Sequence, residues 1–244
     1  MMNVISNSIY AIRVRTPIIF IFCYLIFYLI NLIRLKKSFK DIEKYEKRLE
    51  ILKKKKKIIG FTKNNITYSI PIFNNITKKN LKSKKNLFAL ILGSYEGYTT
   101  LFFHTLNRTW KFSCVDIWNK KKFKNFNPKA EEYFKKNTIN IKNKIQKIKS
   151  TTKRFFIKNK FNYDFIYLDA SHKSKDVMFD CINSWKILNM NGVFIINSIF
   201  WREFKNLYKN NLNGINLFLR LIKYKDYQII NITNNFLALK KIAQ

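Results

Sequence analysis

LILGSYEGYTT, residues 90–100, is the stretch on which the fold of this 244-residue chain turns. The apolar run that leads into it, LFALILG (87–93), has the length of a buried strand, and YTTLFFHTL (98–106) continues as an apolar helix. Between them lie two of only five glycines in the chain, Gly93 and Gly97. A glycine turn between a strand and a helix lets a ligand approach the backbone and offers N–H groups to an anion. It also serves as a tight connection, and both readings stay open at this point. Asp116 closes the next apolar run, WKFSCVD (110–116), where an acid can accept hydrogen bonds from both hydroxyls of a ribose. The pair indicates a nucleoside ligand. Neither G-x-G-x-x-G nor G-x-x-x-x-G-K-[ST] occurs, which favours a ligand carrying a single carboxylate over one carrying phosphates.

Outward from this centre, YDFIYLD (163–169) and GVFIIN (192–197) are further strand-length runs. Helical stretches alternate with them, notably from Pro128 to about Asn140 and over KDVMFDCINSWKIL (175–188). Strands alternating with helices predict an α/β fold, a mainly parallel sheet covered on both faces. YQIINIT (227–233) and NFLALKKI (235–242) are separated by little more than Asn234 and predict a C-terminal antiparallel hairpin.

Toward the N-terminus, PIIFIFCYLIFYLINLI (17–33) is apolar except for Asn31 and is fenced by Arg13 and Arg15 before and by Arg34, Lys36 and Lys37 after. At 1.5 Å per residue it reaches about 25 Å, the lower limit for a transmembrane helix. The excess of basic residues after the run places the following bulk in the cytoplasm. The expectation is therefore a membrane-anchored protein with a cytoplasmic catalytic domain; the alternatives are a soluble cytoplasmic chain with a buried N-terminal helix and an interfacial helix, and the lack of a polar face in the run argues against its lying flat on a membrane. Residues 36–57 form a charged amphipathic linker helix whose stripe is Phe39, Ile42, Tyr45, Leu49 and Leu52. The expected division is residues 1–35, residues 36–57, and a domain over residues 58–244.

Composition sets bounds. With 47% hydrophobic and 16% aromatic residues, a wholly disordered chain is excluded. The net charge of +34 suggests nucleic acid or an anionic membrane. Only eight of the 48 basic residues are Arg, and the chain is crowded with the Lys, Asn, Ile, Phe and Tyr of AT-rich codons. The charge therefore counts little as a partner signal. Cys23, Cys114 and Cys181 are far apart and suggest neither a zinc site nor a disulfide scaffold.

LILGSYEGYTT, CVDIW (114–118), YDFIYLDASHKSKDV (163–177) and NGVFIINSIFW (191–201), in that order, resemble the class I S-adenosylmethionine-dependent methyltransferases, in their small-molecule O-methyltransferase-like branch. The resemblance covers about residues 84–242 and implies a Rossmann-like sheet of seven strands, with the terminal hairpin supplying the antiparallel strand. It implies that Gly93, Ser94, Glu96 and Gly97 line the methionine part of S-adenosylmethionine and that Asp116 holds its ribose. Ser150 and Thr151 would border the adenine, and Trp118 would stack on it or pack in the core. Two positions depart from the family. Ile91 replaces an acid two residues before the first glycine, and Asn197-Ser198 replaces an acidic pair after the fifth strand. A divalent cation such as Mg²⁺ would have Asp169 and Asn197 alone, which falls short of the anionic oxygens a hard cation wants.

Asp169-Ala170-Ser171-His172 ends the fourth strand, over the crevice where open α/β sheets bind ligands. Methyl transfer needs the acceptor positioned and its proton removed. His172 is the candidate base, with Asp169 to orient it, and the plainer reading is a helix cap and a strand end. His104, in an apolar helix, reads as a helix-face residue, and Trp201 and Arg202 lie where an acceptor could touch them. The expected partner is a small hydroxylated or saccharide-type acceptor. The alternative is a non-catalytic domain of this fold that binds the cofactor or a partner. A nucleic-acid-directed enzyme ranks last, because LDASH stands where amino-methylating ones carry Asn/Asp-Pro-Pro-aromatic. Oligomeric state is not legible.

Overall fold

The computed structural model describes residues 2–55, 57–62, 66–81, 86–118 and 127–243. In chain order the helices and strands are α1 (Met2–Arg13), α2 (Ile18–Lys54), α3 (Ile70–Leu81), β1 (Phe88–Leu92), α4 (Tyr98–Leu106), β2 (Lys111–Asp116), α5 (Ala130–Thr138), β3 (Ile145–Lys149), α6 (Thr152–Lys158), β4 (Tyr163–Leu168), α7 (Ser174–Ile187), β5 (Leu188–Asn197), α8 (Asn211–Leu221), β6 (Tyr227–Ile232) and β7 (Phe236–Lys241). The seven strands follow the order β3-β2-β1-β4-β5-β7-β6, the mainly parallel Rossmann-like sheet that the sequence predicts. The chain divides into two compact units, Leu35–Lys158 and Met1–Arg34 together with Asn159–Gln244.

In the Leu35–Lys158 unit, β1, β2 and β3 are parallel, with Leu92 opposite Val115 and Asp116 opposite Lys149. Ala89 to Leu92 are fully buried because both faces of a parallel strand are covered, which is why this run shows no alternation. The stripe of the charged helix packs on its own unit. Tyr45 meets Phe102 edge-on at 5.2 Å, and Leu49 and Leu52 pack on a cluster of Ile58, Leu101 and Ile141. α2 runs unbroken from residue 18 to 54, so the apolar segment and the polar helix are one element.

In the other unit, β5 pairs parallel with β4 and antiparallel with β7, and β7 pairs antiparallel with β6. The hairpin turn is closed by Thr233, whose N–H donates to Phe236 O and whose hydroxyl accepts from the N–H groups of Asn235 and Phe236. α8 crosses α7 closely at Gly214, where a Cβ would lie 2.3 Å from Ser174 O.

The N-terminal apolar segment corrects an expectation. Among the described residues no helix is long and apolar enough to cross a membrane. The physical reason is on one face of α2. Phe20 and Tyr24 are each 1% exposed, Tyr24 packs on Phe200 at 5.1 Å, and its hydroxyl bonds Asn234. Asn31, the polar exception, is buried and donates to Asn231 Oδ1 on β6 at 3.0 Å. One side of the helix is thus spent on the protein itself. α3 and α8 carry no strong sequence signal, since Asn-rich stretches such as NLNGINLFLRL have poor helix propensity and become helical through packing.

Candidate functional site

One candidate cluster belongs to the Leu35–Lys158 unit. Gly93 and Gly97 both adopt φ of +87°, and Gly97 caps α4. Four amides of the turn donate within the protein. Gly93 N and Ser94 N donate to Val115 O at 2.9 and 3.3 Å, Tyr95 N to Asp116 Oδ2 at 2.9 Å, and Gly97 N to Ser94 O at 2.9 Å. The hydroxyl of Ser94 is buried and donates to Ile91 O at 3.1 Å. Glu96 is 1% exposed and clamps the chain. Its Oε1 accepts from Thr62 Oγ1 at 2.7 Å and Asn127 Nδ2 at 2.6 Å, and its Oε2 accepts from Thr62 N at 2.6 Å. At Gly97 a Cβ would stand 3.0 Å from Thr138 Cγ2 and 3.3 Å from Phe134 Cδ2, so the close approach is made by α5. These four residues build the turn that the sequence predicts, and the contacts of Ser94, Glu96 and Gly97 run to the protein.

Asp116 ends β2 where expected. Its Oδ1 accepts from Trp118 N at 2.8 Å and its Oδ2 from Tyr95 N. A carboxylate at the end of a parallel strand is the group type that accepts from ribose hydroxyls. Ser150 N donates to Asp116 O at 2.9 Å, which brings the end of β3 beside it. Thr151 accepts from Arg154 N at 3.2 Å and caps α6, while Ser150 Oγ turns to Thr151 O. Trp118 is buried, packs on Phe134 at 5.1 Å with Lys147 Nζ 4.7 Å from its ring centroid, and donates from Nε1 to Tyr95 O at 2.8 Å. Its packing role therefore holds within the described residues. Tyr95 and Trp118 take positive φ of 44° and 41°, a strained backbone at the ends of neighbouring strands. Ile91, in place of an acid, is fully buried within β1.

A separate candidate cluster lies in the other unit, at the carboxyl ends of β4 and β5. Ser198, at φ of +58°, donates from Oγ to Asp169 Oδ1 at 3.3 Å, and Asn197 Nδ2 donates to Ser198 Oγ at 3.3 Å. Asn211, at the start of α8, donates to Ser198 O at 2.7 Å and faces His172 Nδ1 at 3.4 Å. His172 is half-buried, 5.9 Å from the Trp201 ring. Asn211 is the residue that sequence reasoning missed. Asparagine is too abundant here for one to stand out. Ser171 accepts from Lys173 N and donates to Asp176 Oδ2 at 2.7 Å, so Ser171 shapes the start of α7. Arg202 turns to α1, donating to Ser6 O and Asn7 Oδ1, each at 3.2 Å.

Among the described residues no group of three or more His, Cys, Asp or Glu could hold a metal. His104, with its pKa lowered by burial, lies 6.4 Å from Phe112 as a packed helix-face residue.

Residues 90–199 match the family model of a methyltransferase domain. No match was found among curated proteins. Among solved structures, a candidate rRNA-methylase from Clostridium thermocellum superposes with a TM-score of 0.56 at 13% identity, covering 76% of this chain and 99% of that one. A candidate caffeoyl-CoA O-methyltransferase from Staphylococcus aureus does so at 0.56 and 16%, covering 84% and 98%. An O-methyltransferase from Bacillus cereus, in complex with S-adenosylhomocysteine, does so at 0.52 and 11%, covering 81% and 89%. At these identities the structures share the fold. The matched domain is the finding that supports a methyltransferase.

Proposed function

We propose that the methyltransferase domain at residues 90–199 serves S-adenosylmethionine-dependent O-methylation of a small hydroxylated or saccharide-type acceptor. The observation that carries the reading is the joined cluster Asp169, Ser198, Asn211 and His172 at the ends of β4 and β5. S-adenosylmethionine, when bound, supplies a methyl carbon activated by its sulfonium. Asp116, at the end of β2, would accept from the ribose hydroxyls, and Gly93 would give the backbone curvature beside it. The acceptor hydroxyl would lie against His172, which removes its proton. Asn211 Nδ2 is fixed as a donor by its bond to Ser198 O, so facing Nδ1 it favours the ring proton on Nε2. Acceptance of a proton at Nε2 therefore requires the ring to turn from Asn211 and move its own proton to Nδ1. Binding of the acceptor would supply that turn.

The test is methyl transfer by His172→Ala to a panel of hydroxylated acceptors, with the wild type run beside it. Turnover should fall about 10² to 10⁴-fold while cofactor affinity is unchanged. Wild-type turnover in the variant removes the base. A second reading, a domain that binds without turnover, is favoured by one observation. The carboxylates of Glu96 and Asp116 are both tied to their own chain, and Ile91 supplies no polar group. Cofactor binding with no transfer to any acceptor would establish it.

A further inference from the structure

The hairpin of α1 and α2 is apolar on two sides, and only one of them is covered. The covered side of α2 carries Phe20, Tyr24 and Asn31. The opposite side exposes Ile18, Phe22, Leu25, Leu29 and Ile33, at helical spacing, with Ile18 85%, Phe22 62% and Ile33 69% accessible. α1 exposes Ile5, Ile9 and Ile12 in the same rhythm. Isolated apolar residues on a surface need no explanation, but two continuous rows on one hairpin do.

The rim names the occupant. Arg13 and Arg15 close the hairpin, both exposed. Arg202 stacks on Tyr10 at 4.5 Å and lines, with Ile5, Ile9, Arg13 and Leu207, a groove of about 400 Å³. Arg220 donates to Arg15 O at 2.5 Å, and Tyr208 OH to Arg13 O at 3.3 Å. Trp201, 56% exposed, follows next to Arg202. Residues 1–40 contain no Asp or Glu at all. Exposed Ile and Phe, amphipathic Trp and Tyr, and arginines in a stretch of 40 residues without an acid are the chemistry of an anionic lipid interface. A second copy of the chain would bring Arg13 and Arg15 against their like, with no carboxylate among residues 1–40 to answer them.

We propose that this hairpin docks the protein onto the surface of an anionic bilayer, lying in the headgroup region with its rows of Ile, Phe and Leu toward the acyl chains. The helix does not cross. Its buried side stays on the protein, and its outer side alone enters the lipid. The covered face is what makes this arrangement available to a segment whose sequence is apolar all round.

The full chain supplies its own probe, because Trp110, Trp118 and Trp185 are buried and Trp201 is the exposed one of the four tryptophans. Added to preformed vesicles containing phosphatidylglycerol, the protein should co-sediment, and its emission should shift to the blue and be quenched by lipids brominated near the headgroup. Trp201→Phe should lose the shift and keep the binding. Ile9→Glu with Phe22→Glu should lower partitioning at least tenfold. Arg13→Gln with Arg15→Asn, which suits the positive φ at residue 15, should lower it about fivefold per arginine on anionic vesicles alone. Either pair tests the proposal if the other fails to fold. Unchanged vesicle binding in both folded pairs overturns it. So does retention after alkaline extraction, which would mark a crossing helix. Absence of vesicle binding, together with a concentration-dependent dimer that Ile9→Glu and Phe22→Glu dissolve, would assign the face to a second copy and also overturn it.

Discussion

Replacing Gly97 by alanine tests whether the second glycine of the turn is there for the protein or for a ligand. The new Cβ would sit 3.0 Å from Thr138 Cγ2 and 3.3 Å from Phe134 Cδ2, closer than ordinary contact, on a residue held at φ of +87°. The left-handed backbone costs an L-residue about 1–2 kcal/mol, and crowding a packed contact adds about 1 kcal/mol at the low end of its range. The sum is about 2–3 kcal/mol. Urea unfolding followed by circular dichroism reads it as a lower midpoint at unchanged slope. Thr138→Ser separates the two contributions. Serine keeps the hydroxyl that donates to Phe134 O at 2.7 Å and removes the methyl that clashes. In the double variant the crowding part, about 1 kcal/mol, should return as a coupling energy, and the backbone part should stay. Cofactor affinity, measured where the variant is folded, should change little. A Gly97→Ala protein within about 0.5 kcal/mol of wild type, below the scale of either mechanism, would refute the reasoning. A full-stability variant that no longer binds S-adenosylmethionine would return Gly97 to the ligand.

Asp116→Ala should weaken S-adenosylmethionine binding by about 1.5–3 kcal/mol in titration calorimetry, the scale for losing a charged hydrogen-bond partner; lower stability with unchanged affinity would make Asp116 a brace for Tyr95 and Trp118 alone. Glu131, at the start of α5, pairs with Lys147 and Lys149, and their hydrogen bonds hold its carboxyl down to about 2 from 4.5. A carboxylate depressed on folding stabilises above its ordinary pKa and loses that contribution as pH falls from about 4.5 toward 2. Because Lys149 is half exposed, the pairs together should contribute about 1 kcal/mol. Glu131→Gln should show that deficit in thermal melts at pH 6–7 and converge on the wild type near pH 2; a deficit constant with pH would exclude the ion pairs as its cause.

The sheet was legible because its strands are buried on both faces and so read as continuous apolar runs, as in Ala89–Leu92 and Phe165–Leu168. The places of Asp116, Asp169 and His172 were legible for the same reason, since each follows such a run. What the side chains do there was not. Glu96 and Ser94 sit in a turn whose composition suits a ligand, yet their partners are Thr62, Asn127 and Ile91 O, set by chain folding over long and short separations. Trp118 was ambiguous until Phe134 and Lys147 were found against it. The apolar segment at 17–33 misled because hydropathy sums over all sides of a helix. It cannot register that one side, with Asn31, is matched to β6.

The unit to which the α1–α2 hairpin belongs combines residues 1–34 with residues 159–244, and residues 35–158 form the other unit. During synthesis the hairpin is made well before its partner strands, β6 and β7. At about 5–20 residues per second, the roughly 200 residues in between take about 10–40 s to make. Throughout that interval Phe20, Tyr24 and Asn31 have no β6 to meet, and both sides of the hairpin face whatever surrounds the ribosome. The continuous unit can complete its own core meanwhile. The inward side of the hairpin therefore needs shelter until β6 is made.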